Sequence, residues 1–140
     1  MDKMETLKVL MVKPGELAYP TEIEDSLESM QKVVGGMIEE YMPFEDDVAL
    51  VCNEEGKMMG LPLNRAIKVN DNEIADIIAG DFFICYAPID SEKFLSMPDD
   101  LMAKYEEKFK QPEEFFRRGS SIMAIPYMPE ERVVIDIDER

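Results

Sequence analysis

Two short apolar runs, each followed by turn-forming residues, constrain the fold of this chain most strongly. Residues 48–52 read Val-Ala-Leu-Val-Cys and residues 82–86 read Phe-Phe-Ile-Cys-Tyr. Short apolar runs bounded by turn signals are typical of buried strands. We therefore expect both runs to be β-strands, and the near-continuous apolar character of 48–52 predicts burial on both faces of its sheet.

Weaker patterns predict the remaining strands. Strand candidates lie at residues 7–12, 37–42 and 120–126; residues 16–23 have an extended pattern, and residues 74–79 are apolar but short. Residues 53–56 predict a hairpin turn with Gly56 at positive φ, from which the chain returns as a strand through residues 57–59. Residues 60–67 contain glycine, proline and asparagine between aliphatic residues, and we interpret them as a packed loop or a single helical turn.

Helix start and stop signals predict about three helices. In the first, Asp25 is the N-cap, Glu28 is its capping-box partner and Gly35-Gly36 ends the helix. The second begins at Pro98 and carries an apolar face. The third is short, runs from Pro112 to Arg118, and has Gly119 as its stop signal.

These elements indicate an α+β fold with a single, mostly antiparallel sheet of five or six strands. The 140 residues are the length of one domain. We assign it to residues 1–126, with a helical extension plus a strand in 91–126, and a C-terminal tail at 127–140. Within the tail, residues 133–138 either add a strand or fray.

The formal charge limits the partners that the chain can take. Asp and Glu number 31 against 15 Lys and Arg, a net charge of −16. This charge disfavours direct binding to nucleic acid and to anionic membranes. Three interpretations stay open: a solubilising surface, an imitation of the phosphate array of DNA that occupies a host protein with a basic surface, or another basic partner. The acidic surface residues that we single out are Glu39, Glu40, Glu45, Asp46 and Asp47.

The residues available for catalysis are few. The chain has no histidine, which excludes histidine-based triads, a histidine general base and imidazole metal ligands. Two cysteines cannot alone form a four-ligand zinc site, and no phosphate-binding glycine motif is present. Carboxylate pairs such as Asp99-Asp100 are explained by turns and helix capping. We expect no enzymatic activity, no cofactor and no metal.

The two cysteines and the N-terminus indicate a cellular compartment. Cys52 and Cys85 both lie inside apolar runs, which is typical of buried free thiols and fits a reducing cytosol. The N-terminus has no basic and apolar leader, and no apolar run approaches the length of a membrane-spanning helix. We expect a cytoplasmic protein that does not contact a membrane.

Asn64 and Arg65 are the best recognition candidates, because arginine offers five donors in a rigid fork and asparagine both donates and accepts. They could hold a small anionic ligand, which would suit a nucleotide-binding or sponge protein built as an oligomer. The alternative is that Asn64 stabilises a turn and Arg65 pairs with an acidic residue.

Several segments together resemble a known family, the domain of unknown function 3846. They are residues 7–15, Gly35-Gly36, 51–56 (Val-Cys-Asn-Glu-Glu-Gly), 60–66 (Gly-Leu-Pro-Leu-Asn-Arg-Ala) and 76–83 (Asp-Ile-Ile-Ala-Gly-Asp-Phe-Phe). The resemblance covers residues 7–86. It implies no catalytic residues. It implies a context: members are typically carried by phages, plasmids or conjugative elements, whose short accessory proteins often counter host defence.

Overall fold

A five-stranded antiparallel sheet organises the chain. The structure is a computed structural model that describes residues 5–69 and 73–129. Its elements, in chain order, are β1 (Thr6–Val12), β2 (Tyr19–Glu24), α1 (Leu27–Val34), β3 (Ile38–Tyr41), β4 (Val48–Asn53), β5 (Leu63–Lys68), β6 (Ile74–Ala79), β7 (Phe82–Tyr86), α2 (Asp99–Lys108), β8 (Glu113–Arg118) and β9 (Ser121–Pro126).

The central sheet has the strand order β2-β1-β7-β4-β3, and every neighbouring pair is antiparallel. All six residues of β4 are buried, as are Phe82 to Cys85 of β7. This confirms both apolar runs as strands, and it confirms that residues 48–52 are covered on both faces. Two further pairs, β5 with β6 and β8 with β9, form separate two-stranded sheets.

Each face of the central sheet packs against a different layer. On one face, Met30 of α1 packs with sheet residues such as Val9, Val51 and Phe83. On the other face, Tyr105 and Phe109 at the end of α2, together with Ile67 and Ile78 from β5 and β6, pack with Leu10, Leu50 and Ile84. The sheet therefore separates two hydrophobic cores, and burial of this apolar area is the main stabilising contribution to the fold.

Helix α1 begins one residue later than its sequence signals suggest. Ser26 is the N-cap, and its side chain accepts a hydrogen bond from the Ser29 N–H at 3.1 Å. Asp25 instead ends the β1–β2 ladder, where its N–H donates to the Glu5 carbonyl at 2.8 Å. The predicted stop is confirmed, because Gly35 caps the helix in the left-handed conformation at φ 82.

The described residues contain two helices rather than about three, because residues 113–118 form strand β8. Arg118 pairs with Ser121 across a two-residue turn, in which Gly119 has φ 62. Glycine at positive φ ends helices and also begins tight hairpin turns, so the same residue fits both interpretations. The hairpin forms because residues 121–126, predicted as a strand, pair with residues 113–118 along their whole length.

Residues 53–67 also differ from the sequence-based prediction. Residues 54–60 form turns, not a hairpin with a strand at 57–59. Residues 63–68 form β5 rather than a loop or helical turn, and β5 pairs with β6. Gly56 does not have positive φ; it is Gly60 that does, at φ 76. The tail prediction at 133–138 lies outside the described residues.

No helix in residues 5–69 and 73–129 is both long enough and apolar enough to cross a membrane.

The backbone at Gly56 lies so close to the backbone at Ala79 that a side chain at residue 56 would not fit. A Cβ at residue 56 would lie 2.7 Å from the Ala79 carbonyl oxygen, a backbone atom that cannot easily move. We expect Gly56→Ala to lower the free energy of unfolding by about 1–3 kcal/mol, measured by urea denaturation. The control is Gly60→Ala, where nothing lies within 4 Å and only the positive φ opposes the substitution. A smaller loss for Gly56→Ala than for Gly60→Ala would contradict the steric explanation.

Candidate functional site

Asn64 and Arg65, the recognition candidates, lie inside the protein. Their exposed fractions are 0% and 1%. Leu63 pairs with Ala79 and Arg65 pairs with Ile78, so Asn64 is an extra residue in β5. A bulge of this kind interrupts the alternation of side chains along a strand. We attribute the burial of two consecutive polar side chains to this bulge.

The Arg65 guanidinium donates to backbone carbonyls from separate segments. Its Nε donates to the Phe109 carbonyl at 3.0 Å, and its Nη2 donates to the Glu16 carbonyl at 2.7 Å. Its Nη1 donates to Asn64 Oδ1 at 2.9 Å. Burial lowers the pKa of Arg65 to about 10, and the nearby Glu113 carboxylate partly opposes this. Carbonyl dipoles, rather than a hydrogen-bonded carboxylate, therefore surround the charge.

Asn64 completes the same network. Its Nδ2 donates to the Val12 carbonyl at 2.9 Å and to the Gly80 carbonyl at 2.8 Å. Its Oδ1 accepts from Arg65, as described above. The side chain thus links the end of β1 to the turn between β6 and β7.

These contacts correct the interpretation of Asn64 and Arg65 as an accessible binding site. Their donors are directed at the protein's own backbone, and neither side chain reaches the surface. The alternative interpretation was that Asn64 stabilises a turn and Arg65 pairs with an acidic residue. Its first half agrees with the structure, because Asn64 binds the carbonyl of Gly80 in the turn between β6 and β7. Its second half does not, because the hydrogen-bond acceptors of Arg65 are carbonyls and an amide oxygen rather than a carboxylate.

Asn53 holds a second internal junction that the sequence analysis did not single out. Its Nδ2 donates to the Val34 carbonyl at 3.1 Å, at the end of α1, and its Oδ1 accepts from the Glu55 N–H at 2.7 Å. A Cβ at Gly36 would lie 2.9 Å from Asn53 Nδ2. Gly36 and Asn53 both belong to the segments that carry the family resemblance, so part of that resemblance reflects packing.

The five acidic candidates do not share one environment. Asp46 is bound by two side chains of α2: its Oδ2 accepts from Lys104 Nζ at 2.6 Å and from the Tyr105 hydroxyl at 2.8 Å. The hydrogen bond from Lys104, and to a smaller extent that from Tyr105, lowers the pKa of Asp46. The other four candidates, Glu39, Glu40, Glu45 and Asp47, are exposed.

Glu39 and Glu40 lie on opposite faces of the sheet, because side chains alternate along a strand. Glu39 pairs with Cys52, which belongs to the core next to α2, and Glu40 pairs with Val51, which belongs to the core next to α1. Each lines a different cavity. The cavity at Glu39 has a volume of about 220 Å³, and the cavity at Glu40 has a volume of about 460 Å³.

The cysteines offer no reactive thiolate in this structure. Cys52 and Cys85 are free and buried, as predicted. Burial raises the pKa of Cys52 to about 12, and it raises the pKa of Cys85 as well. Both side chains are therefore neutral thiols at physiological pH. Among the described residues, no group of three or more Cys, Asp or Glu side chains is arranged to hold a metal ion.

Replacing Arg65 tests the internal network. Arg65→Lys keeps the charge but loses the planar fork, so at least one of the buried carbonyls loses its donor. We expect the free energy of unfolding to fall by at least about 2 kcal/mol in urea denaturation. The control is Arg117→Lys on the exposed β8–β9 hairpin, which should change stability little. Equal unfolding midpoints for Arg65→Lys and the wild type would show that the fork is dispensable.

The lowered pKa of Asp46 predicts how stability depends on pH. A carboxyl whose pKa is lower in the folded than in the unfolded state stabilises the fold above its ordinary pKa of 3.8. That stabilisation is lost as pH falls through the folded-state pKa. We therefore expect Asp46→Asn to be destabilised at neutral pH by up to about 1 kcal/mol, since the ion pair is partly exposed.

Urea midpoints measured from pH 7 down to pH 2 check this expectation. The difference between wild type and Asp46→Asn should vanish at the acidic end of the series. Asp47→Asn, which removes an adjacent exposed carboxylate, is the control. A difference that stays constant over the whole series would mean that Asp46 does not act through its ionised form.

Comparison with known proteins identifies one family. Residues 7–110 match the model of the Domain of unknown function (DUF3846). No curated protein and no solved structure gives a significant match. The matched range extends past residue 86, where the resemblance seen in the sequence ended, and it includes α2 and Phe109, whose carbonyl Arg65 binds. Because the match covers most of the 140 residues, the chain belongs to the family of domain of unknown function 3846.

Proposed function

We propose that this protein is a non-catalytic accessory protein that acts by binding a partner protein with a basic surface. The observation that carries the proposal is the group of exposed acids on and beside β3. Glu39, Glu40, Glu45 and Asp47 lie within one short segment and are exposed, in a chain with a net charge of −16. We refer to these four residues as the β3 acidic segment.

The roles of the other polar residues support binding rather than catalysis. Arg65 and Asn64 are occupied by backbone carbonyls, and Asp46 is occupied by Lys104 and Tyr105. The thiol pKa values of the cysteines are raised, whereas a cysteine nucleophile needs a lowered one. The acidic residues on and beside β3, in contrast, are exposed at the surface, where a partner can reach them.

Electrostatic attraction requires that the partner carry a positively charged surface. An excess of negative charge attracts positively charged surfaces and accelerates their association. At physiological ionic strength the attraction acts over roughly 8 Å, so it requires close approach and weakens with added salt. In its finer form, the proposal is that the partner is a host defence protein whose nucleic-acid-binding site the acidic surface occupies. That form draws on the mobile-element context that the family resemblance implies.

Charge-neutralised variants test the proposal. One variant carries Glu39→Gln, Glu40→Gln, Glu45→Gln and Asp47→Asn. The control carries Glu5→Gln, Glu22→Gln, Glu28→Gln and Glu107→Gln, all at exposed positions away from β3. Each variant loses four charges, from −16 to −12, so the two differ only in where the charge is removed.

The probe is a short arginine-rich peptide, with affinity measured by isothermal titration calorimetry at a series of sodium chloride concentrations. We expect salt-sensitive binding to the wild type, and a loss of at least about tenfold in affinity that is confined to the β3 variant. If the control loses as much affinity as the β3 variant, binding follows total charge and the proposed surface is wrong.

A further inference from the structure

The central sheet ends in two edge strands, β2 and β3, and these edges differ in what they can bind. No described residue pairs with the outer side of either strand. An edge strand carries outward-facing N–H and C=O groups, which can accept a further strand unless the edge is blocked. Which residues face outward follows from the alternating hydrogen-bond pattern of antiparallel ladders.

The β2 edge is blocked by a proline. The Asp25 N–H donates to the Glu5 carbonyl, and the two residues lie opposite each other in the β1–β2 register. Counting in steps of two from this pair, Ile23, Thr21 and Tyr19 bond to β1, and the backbone of Pro20 faces outward. Proline has no N–H, so the start of this edge lacks a donor that an added strand would need.

The β3 edge has its donors in place. The Glu54 N–H donates to the Met37 carbonyl at 2.9 Å, which continues the β3–β4 register by one pair. Counting from this pair, Glu39 and Tyr41 bond to β4, and the backbones of Ile38 and Glu40 face outward. Both of these residues present an N–H and a C=O on the outer side of the sheet.

A cavity lies on each face of this edge. The cavity of about 220 Å³, on the α2 face, has four acidic residues and one basic residue in its lining: Glu39, Glu54, Glu55 and Asp76, with Lys57. The cavity of about 460 Å³, on the α1 face, has three acidic residues and one basic residue: Glu40, Asp47 and Glu92, with Lys93. Side chains of a strand added to β3 would alternate between these faces. The edge therefore combines backbone groups for affinity with acidic pockets for alternate side chains, which is the usual arrangement for recognition by strand addition.

We propose that β3 pairs with an extended basic segment of the partner protein, which becomes the sixth strand of the central sheet. This inference rests on the proposed function and specifies its binding mode. Lysine or arginine side chains on both faces of the added strand would reach Glu39 and Glu40. Met37 and Met42, exposed at either end of β3, provide adaptable apolar contacts.

Charge selects this occupant over a second copy of the chain. Pairing of two β3 edges would bring the Glu39 and Glu40 side chains of both copies close together, and like charges on neighbouring strands are destabilising. Each copy also carries a net charge of −16. A basic strand would instead be attracted both by the Glu39 and Glu40 side chains and by the net negative charge of the protein.

Two variants at one position separate the backbone from the charge. Glu40→Gln removes the carboxylate and keeps the N–H, whereas Glu40→Pro removes both. Since the Glu40 N–H faces outward, proline there costs no bond to β4. The probe is a peptide of adjacent lysine pairs separated by threonine pairs, which presents basic side chains on both faces when extended. We expect Glu40→Gln to weaken binding modestly, and Glu40→Pro to weaken it by about a further tenfold.

Amide hydrogen exchange of the wild type gives an independent readout that needs no variant. With saturating peptide, exchange at the Ile38 and Glu40 amides should slow by at least about tenfold, because both become bonded. The amide of Glu22, which faces outward on the β2 edge, is the internal control and should not change. If Glu40→Pro does not fold, as judged by circular dichroism, these exchange rates alone decide the question.

The outcomes separate the two proposals. Salt-sensitive binding that needs the β3 acidic segment, without slowed exchange at Ile38 and Glu40, would overturn strand addition and leave the proposed function standing. If peptide binding did not depend on the β3 acidic segment, both the proposed function and strand addition would be overturned. Slow exchange at these two amides without peptide, in a protein that sediments as a dimer, would show that a second copy occupies the edge.

Discussion

The buried guanidinium of Arg65 is the contact on which the arrangement of the surrounding segments depends. A buried charge is costly unless its hydrogen-bonding groups are satisfied. Here the donors reach the connection between β1 and β2 at Glu16, the end of α2 at Phe109, and the side chain of Asn64. Moving any of these segments would leave a buried donor without an acceptor, so the network fixes their relative positions.

This network changes how the most recognisable part of the sequence is understood. The segment Gly-Leu-Pro-Leu-Asn-Arg-Ala carries the family resemblance, yet its two polar side chains are buried and bonded to the backbone. Its residues serve the fold. The β3 edge, where we place binding, contributes little to the resemblance, and its outer surface is defined by backbone groups that any residue except proline can supply. A family motif can therefore identify the fold while the binding surface lies elsewhere.

How much the sequence could predict depended on whether local patterns or distant contacts decide the structure. Strands β4 and β7 and helix α2 were predicted because apolar runs and capping signals are local. Residues 113–118 were predicted as a helix that ends at Gly119, but a glycine there suits a helix end and a hairpin turn equally. Pairing with residues 121–126 is what makes the segment a strand. The burial of Arg65 depends on Phe109, 44 residues away in the sequence, which no local pattern reveals.

The bond between Arg65 and Phe109 also bears on where the smallest autonomous folding unit can end. A fragment stopping at residue 86 would carry the resemblance but lack α2, so Leu10, Leu50 and Ile84 would lose the aromatic residues that cover them. Its arginine would also lose one of its carbonyl acceptors. Residue 109 is thus the earliest point at which the chain could be cut and still satisfy this contact, and the family match ends one residue later. The family match therefore includes both residues of this contact, Arg65 and Phe109.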